Sequence, residues 1–137
     1  MATKVFWLRP TEEGRWHSPE EVVGRLTKVF DHVSADREEA RILGENFIRT
    51  YRKLLGAGLG FGDSTPLHQV EHQWSEALVL RARDDSGATA PFEVVVRTED
   101  TLELRFPSKT PFQKKRRSAE KVAKALGYAI EHFDPER

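Results

Sequence analysis

Residues 68–72, His-Gln-Val-Glu-His, have the spacing of a helix-borne zinc motif in which two histidines one turn apart share a metal and a glutamate acts as base. That chemistry needs a helix, because only there do residues i and i+4 come close enough to bind one ion. The surrounding residues alternate in type instead: His68, Val70, His72, Trp74, Leu78, Leu80 and Ala82 fall in one register, Gln69, Glu71, Gln73, Ser75, Arg81 and Arg83 in the other. A period of two predicts a strand through residues 67–83, bulged near Ser75, which would hold the two histidines about 13 Å apart. On that reading they are half-buried sheet residues and no metal is expected. A small metal-dependent or acid–base enzyme around His68 and His72 stays as an alternative.

The remaining chemical motifs are weaker. Residues 56–64 are glycine-rich but follow a helical pattern and lack the Gly-Lys-Ser/Thr ending of a phosphate loop, so no nucleotide cofactor is expected. Leu59 and Phe61 in that loop are candidate contacts for a protein partner. The paired carboxylates Glu20–Glu21, Glu38–Glu39 and Asp84–Asp85 suit helix first turns and a hairpin loop without any catalytic role. Without a cysteine or a Gly-x-Ser-x-Gly elbow, no nucleophile stands out, and no catalytic residue is assigned.

Anion recognition is the chemistry with the most residues behind it. Residues 110–127 read as a helix with Thr110 as N-cap, Pro111 in the first position and Gln113 completing a capping box. At 100° per residue, Phe112, Ala119, Val122, Ala123 and Leu126 gather on one side, and Lys114, Arg117, Lys121 and Lys124 on the other, a ridge about 15 Å long. Lys115 and Arg116 border the apolar stripe. Cations at a helix N-terminus oppose the macrodipole and like charges at i,i+4 repel, each at a cost of about 0.2–1 kcal/mol, so a reason beyond helix stability is needed. The reading is a small non-enzymatic interaction module whose cationic helix contacts an acidic protein partner. A nucleic-acid-binding domain using the same helix is the alternative. Trp16, in the polar loop before the first helix, is a further candidate contact, since exposed tryptophan is enriched at interaction hot spots.

A competing explanation is neutralisation within the chain. The net charge is zero, yet residues 84–106 carry six acidic and two basic side chains while residues 107–119 carry five basic and no acidic ones. Blocks of opposite sign this near in sequence can pair in the fold.

The elements that must position these residues follow from periodicity and punctuation. Residues 4–9 read as a strand ended by Pro10. Ser18, Pro19 and Glu21 form the strongest helix start, followed by Val22, Val23, Leu26, Val29, Phe30 and Val33 at helical spacing to about residue 32. A second helix from Ser34 or Asp36 aligns Ala40, Leu43, Phe47, Tyr51 and Leu54, ends at Gly56, and is expected to pair antiparallel with the first. The strand over 67–83 then joins residues 92–97 and 101–106 in an antiparallel meander. After the basic helix, Gly127 marks a stop and residues 128–133 read as a final strand. The order β-α-α-β-β-β-α-β gives the α+β class: an antiparallel sheet of four to five strands with helices mainly on one face, in a single domain over 1–137. With 38% hydrophobic and 32% charged residues, the composition is that of a globular protein. The absence of an 18-residue apolar run and of a secretory-type start leads us to expect a cytoplasmic protein with no membrane contact.

Overall fold

The computed structural model describes residues 5–11, 14–57 and 66–133. The architecture is α+β: four helices and a six-stranded sheet in which every neighbouring pair is antiparallel. In chain order the elements are β1 (Val5–Pro10), α1 (Pro19–Thr27), β2 (His32–Asp36), α2 (Arg37–Gly56), α3 (Leu67–Trp74), β3 (Leu78–Arg83), β4 (Phe92–Val96), β5 (Leu102–Arg105), α4 (Phe112–Leu126) and β6 (Tyr128–Phe133). The sheet runs β2-β3-β4-β5-β1-β6, so the expected meander β3-β4-β5 is present and β1 lies between β5 and β6.

Alternation along the strands builds two faces. Phe6, Leu8, Leu80, Ala82, Phe92, Val94, Val96, Leu102 and Leu104 point to one face, where Val22 and Leu26 of α1 and Ala119, Val122 and Leu126 of α4 close the main core over them. Val79 and Val95 point to the other face and form a smaller cluster with Ala40 of α2, Trp74 and Ala77. α1 and α2 therefore pack on opposite faces of the sheet, and the expected antiparallel pair is instead α2 with α3. Gly44 makes that pairing close: a Cβ there would sit 2.8 Å from the Trp74 ring.

The sheet has six strands rather than four or five, and two local readings change with it. β2 interrupts what the sequence presents as helix on both sides: α1 stops at Thr27, and Asp36 caps α2 by accepting the Glu39 N–H at 2.8 Å. Five residues, four of them exposed, carry too little apolar pattern to announce a strand. The expected strand over 67–83 divides into α3 and β3. Leu67, Val70 and Trp74 satisfy a helical stripe as well as an alternating one, and α3 packs by it against α2.

α2 is the least buried helix for its length. Of its 20 residues only Ala40 and Gly44 are fully buried. Leu43 and Phe47, expected to pack inward, are 40% and 43% exposed. They overhang a groove of about 360 Å³ whose other walls include Trp74, Val95, Arg97 and Arg105.

Candidate anion-binding face

α4 is fixed from both ends and along its apolar side. Gly127 closes it in the left-handed conformation, φ 71°, with its N–H donating to the Ala123 carbonyl. At the start, the N-cap is Pro111 and no side chain caps the first turn. The expected Thr110 capping box is not formed, because the Thr110 hydroxyl donates to the Pro107 carbonyl at 2.7 Å. The buried side presents Ser118, Ala119, Val122, Ala123 and Leu126. Ser118 is fully buried and bonds Ala90 reciprocally: its Oγ accepts the Ala90 N–H at 2.8 Å and donates to the Ala90 carbonyl at 2.7 Å. Lys115, placed at the border of the apolar stripe by periodicity, is 4% exposed.

The four ridge cations separate into two kinds. Lys121 donates to Asp84 at 2.8 Å, and its ammonium lies 4.7 Å from the centre of the Phe30 ring. The Asp84 side chain is 7% exposed and also accepts from the Asp31 N–H at 3.0 Å and the Thr89 hydroxyl at 2.9 Å. Burial pushes the Asp84 pKa up, but the hydrogen bonds from Lys121, Asp31 and Thr89 and the Lys121 charge outweigh it and hold the carboxyl below its ordinary value. Lys121 is thus a tie between α4 and the turn after β3. Lys121, which the sequence places on the cationic ridge, has its charge offset within the chain. Lys114, Arg117 and Lys124 form no ion pair among the described residues, while Arg116 is bonded to Glu120 at 3.2 Å.

Most arginines elsewhere are paired. Arg9, Arg25, Arg37, Arg52, Arg81, Arg83 and Arg105 each lie within ion-pair distance of a carboxylate, and Arg41 and Arg97 are bonded to Glu38 with Glu45 and to Asp100. Among the described residues Arg15, Lys28, Arg49, Lys53 and Lys109 also form no ion pair; α4 differs in gathering three unpaired cations on one helix face.

Other residues singled out by the sequence fall elsewhere. Trp16 is half-buried, packed edge-on against Tyr128 at 5.9 Å and against the main core. Leu59 and Phe61 lie outside the described residues. His68 and His72 sit on a helix after all, one turn apart, so the strand-based ground for separating them does not hold. Glu71 between them is bonded to Arg52 at 2.8 Å, and among the described residues no three His, Cys, Asp or Glu side chains converge as a metal site.

Sequence reasoning missed the most connected histidine. His17 is buried and stacked on Tyr128 at 5.4 Å. Its Nε2 donates to the Leu126 carbonyl at 2.7 Å, its Nδ1 lies 3.1 Å from Glu21, and its backbone N–H donates to the Tyr128 hydroxyl at 3.0 Å. It joins α1, α4 and β6, and no spacing rule marks it. The Glu21 side chain is drawn to His17 and Arg25, while its backbone N–H donates to the Ser18 hydroxyl at 3.2 Å as the helix start predicts.

A concavity of about 1020 Å³ opens between the α1–β2 turn and the ends of β3, β4 and β5. Its charged rim is already paired: Arg81 with Glu39 and Glu93, and Arg83 and His32 with Asp85. Among the described residues no helix is long and apolar enough to cross a membrane. Comparison with known proteins returns no match to a family model, a curated protein or a solved structure.

Proposed function

We propose that this chain is a small interaction module that holds an acidic protein surface on the outer face of α4 through Lys114, Arg117 and Lys124. The observation that supports the reading is that three cations without ion pairs among the described residues lie together on one face of one helix, whereas the other exposed unpaired cations are scattered over the surface. Three cations spread over about 15 Å match the span of an acidic segment; Lys114 and Lys124 act as point charges that tolerate varied carboxylate geometry, and Arg117 offers a planar fork that suits one carboxylate. Nucleic acid is the second reading. It is disfavoured by the balanced charge of the whole chain, since nucleic-acid domains carry a broad basic excess.

Titration of a glutamate-rich peptide and of a generic DNA duplex, each at several salt concentrations, separates the two. The proposal expects peptide binding that weakens with salt and is lost in the triple variant Lys114→Glu, Arg117→Glu, Lys124→Glu. DNA binding with a salt slope reduced in that variant supports the second reading. Affinity for either probe that the triple variant leaves unchanged removes the helix from both.

A further inference from the structure

α4 begins without a side-chain cap. Its N-cap is Pro111, which has no N–H, and no acidic residue stands in the first turn. The Lys114 and Lys115 N–H groups both donate to the Pro111 carbonyl at 3.1 Å, whereas the Gln113 N–H has no partner among the described residues. A helix start in this condition carries partial positive charge and a free donor directed back along the axis. The neighbouring sequence offers no acid: residues 107–119 hold five basic side chains and no carboxylate.

Lys115 adds a full charge to this end. It holds the fourth helical position and is 4% exposed. Each Cα–Cβ bond of a helix tilts toward the N-terminus, so a long side chain in the fourth position lies back over the first turn. The Lys115 ammonium forms no ion pair or hydrogen bond among the described residues. Nor is it one of the side-chain atoms sealed from solvent, so it keeps an opening to water. Lys121, less enclosed and further along α4, is matched by Asp84. A nearly buried ammonium without a counter-charge is costly, and the helix dipole and the adjacent cations Lys114 and Arg116 add to that cost. An anion at the helix start would offset all of these together.

We propose that the start of α4 binds a phosphate group, free or esterified to a small molecule, between the Gln113 N–H and the Lys115 ammonium. Backbone N–H groups at a helix start and a lysine point charge are both established partners of phosphate, whose several oxygens accept from the two at once. A narrow opening beside a buried stem favours a small ion over the acidic protein segment assigned to the outer face. The site lies toward the core side of α4, away from Arg117 and Lys124. It therefore goes beyond the function proposed above and fails or stands separately from it.

Inorganic phosphate is titrated into the full chain at an ionic strength held constant with chloride, and the backbone amides are followed by proton–nitrogen NMR. A saturable shift centred on Gln113 and Lys115 is expected. Lys115→Met keeps the buried stem and removes the charge; it should retain the thermal transition and weaken phosphate binding about tenfold or more. Lys124→Glu, on the outer face, should leave phosphate binding unchanged. Phenyl phosphate binding more tightly than inorganic phosphate assigns the site to an ester, and the reverse order to the free ion; either supports the proposal. No saturable shift with either probe overturns it. So does phosphate binding that Lys115→Met leaves intact, an equal loss in Lys124→Glu, or acetate binding as tightly as phosphate.

Discussion

Lys121 and Asp84 are joined at 2.8 Å although 37 residues separate them, and the Lys121 ammonium also rests 4.7 Å from the Phe30 ring. The pair fastens α4 to the turn after β3 and to the segment that leads from α1 into β2. Asp84 is the more enclosed partner, with Lys121 about one-third exposed. Removing the acid therefore leaves a cation held against an aromatic ring with its counter-charge gone. Asp84→Asn is expected to lower stability by about 2 kcal/mol, and Lys121→Met in the same chain to recover part of that loss, since an unpaired charge costs more than an absent pair. Urea denaturation of the two single variants and the double variant measures the coupling. A double variant no more stable than Asp84→Asn would contradict it.

Acid should weaken the fold through the same carboxyl. The pKa of Asp84 is held below its unfolded value by hydrogen bonds and the Lys121 charge against the upward push of burial. Glu21 is likewise lowered, burial being outweighed by the Arg25 hydrogen bond and by the charges of His17, Arg25 and Arg15. The unfolded chain then binds more protons than the folded one in acid, so stability rises with pH there. The contribution is complete above the ordinary carboxylate range and declines as pH falls through and below about 4. Tyr128 acts at the other extreme. Burial and the Glu21 charge raise its pKa above 10.0 against the opposing His17 N–H, so its contribution is lost as pH climbs beyond that value. Chemical denaturation across pH should show a shallower acid slope in Asp84→Asn than in the wild type.

Ser118 satisfies both backbone groups of Ala90 from the inside of α4. Alanine in its place removes one hydroxyl and leaves a buried N–H and a buried carbonyl unpaired. The expected loss is about 2–4 kcal/mol, larger than the gain of about 0.5 kcal/mol in helix propensity. A fall in the thermal midpoint checks the direction. Ser118→Ala with unchanged stability would mean that the Ala90 groups find other partners.

Gly44 poses the same competition between propensity and packing. Alanine is worth about 1 kcal/mol more than glycine in a helix interior. Here its Cβ would approach Trp74 Cε3 to 2.8 Å and Cδ2 to 3.1 Å, atoms at or next to the ring fusion, so the whole indole would have to shift. Overpacking of this kind costs about 1–3 kcal/mol, so Gly44→Ala should be net destabilising, with altered tryptophan fluorescence. An increase in stability would show that α3 shifts freely.

Lys114 offers a test in which stability and function move apart. It stands in the first turn of α4, where a cation opposes the helix dipole and no side-chain cap is present. Lys114→Glu should raise stability by about 0.3–1 kcal/mol and at the same time weaken binding of a glutamate-rich peptide. Thermal denaturation and the peptide titration are read on the same samples. A variant that loses stability and keeps its peptide affinity would count against the proposed face.

Much of this architecture is legible in local chemistry. Ser18 and Pro19 start α1, and Gly127 ends α4 in the left-handed conformation that glycine adopts without steric penalty. Alternating apolar residues give β4 and β5. The 110–127 pattern puts Ala119, Val122, Ala123 and Leu126 on the buried side of α4, but Phe112, grouped with them, is 46% exposed, and Lys115, placed only at the border, is buried. The failures lie where one pattern fits two structures. His68, Val70, His72 and Trp74 alternate like a strand, yet Leu67, Val70 and Trp74 also form a helical stripe, and contact with α2 decides between them. β2 is formed by pairing with β3, more than 40 residues away in sequence, and its own side chains are mostly exposed.

For the candidate site, sequence determined that α4 would be amphipathic and cationic, because helical period and residue type are both local properties. Tertiary structure decided which of those cations remain available. Lys121 lies one helical turn from Arg117 and differs from it in no sequence property that would predict the outcome. It is bonded because the turn after β3 carries Asp84 to that point on the helix, and Lys114, Arg117 and Lys124 are left because no described carboxylate reaches them. Charge pairing depends on distances of a few ångströms between segments far apart in the chain, and only the packed sheet sets those distances.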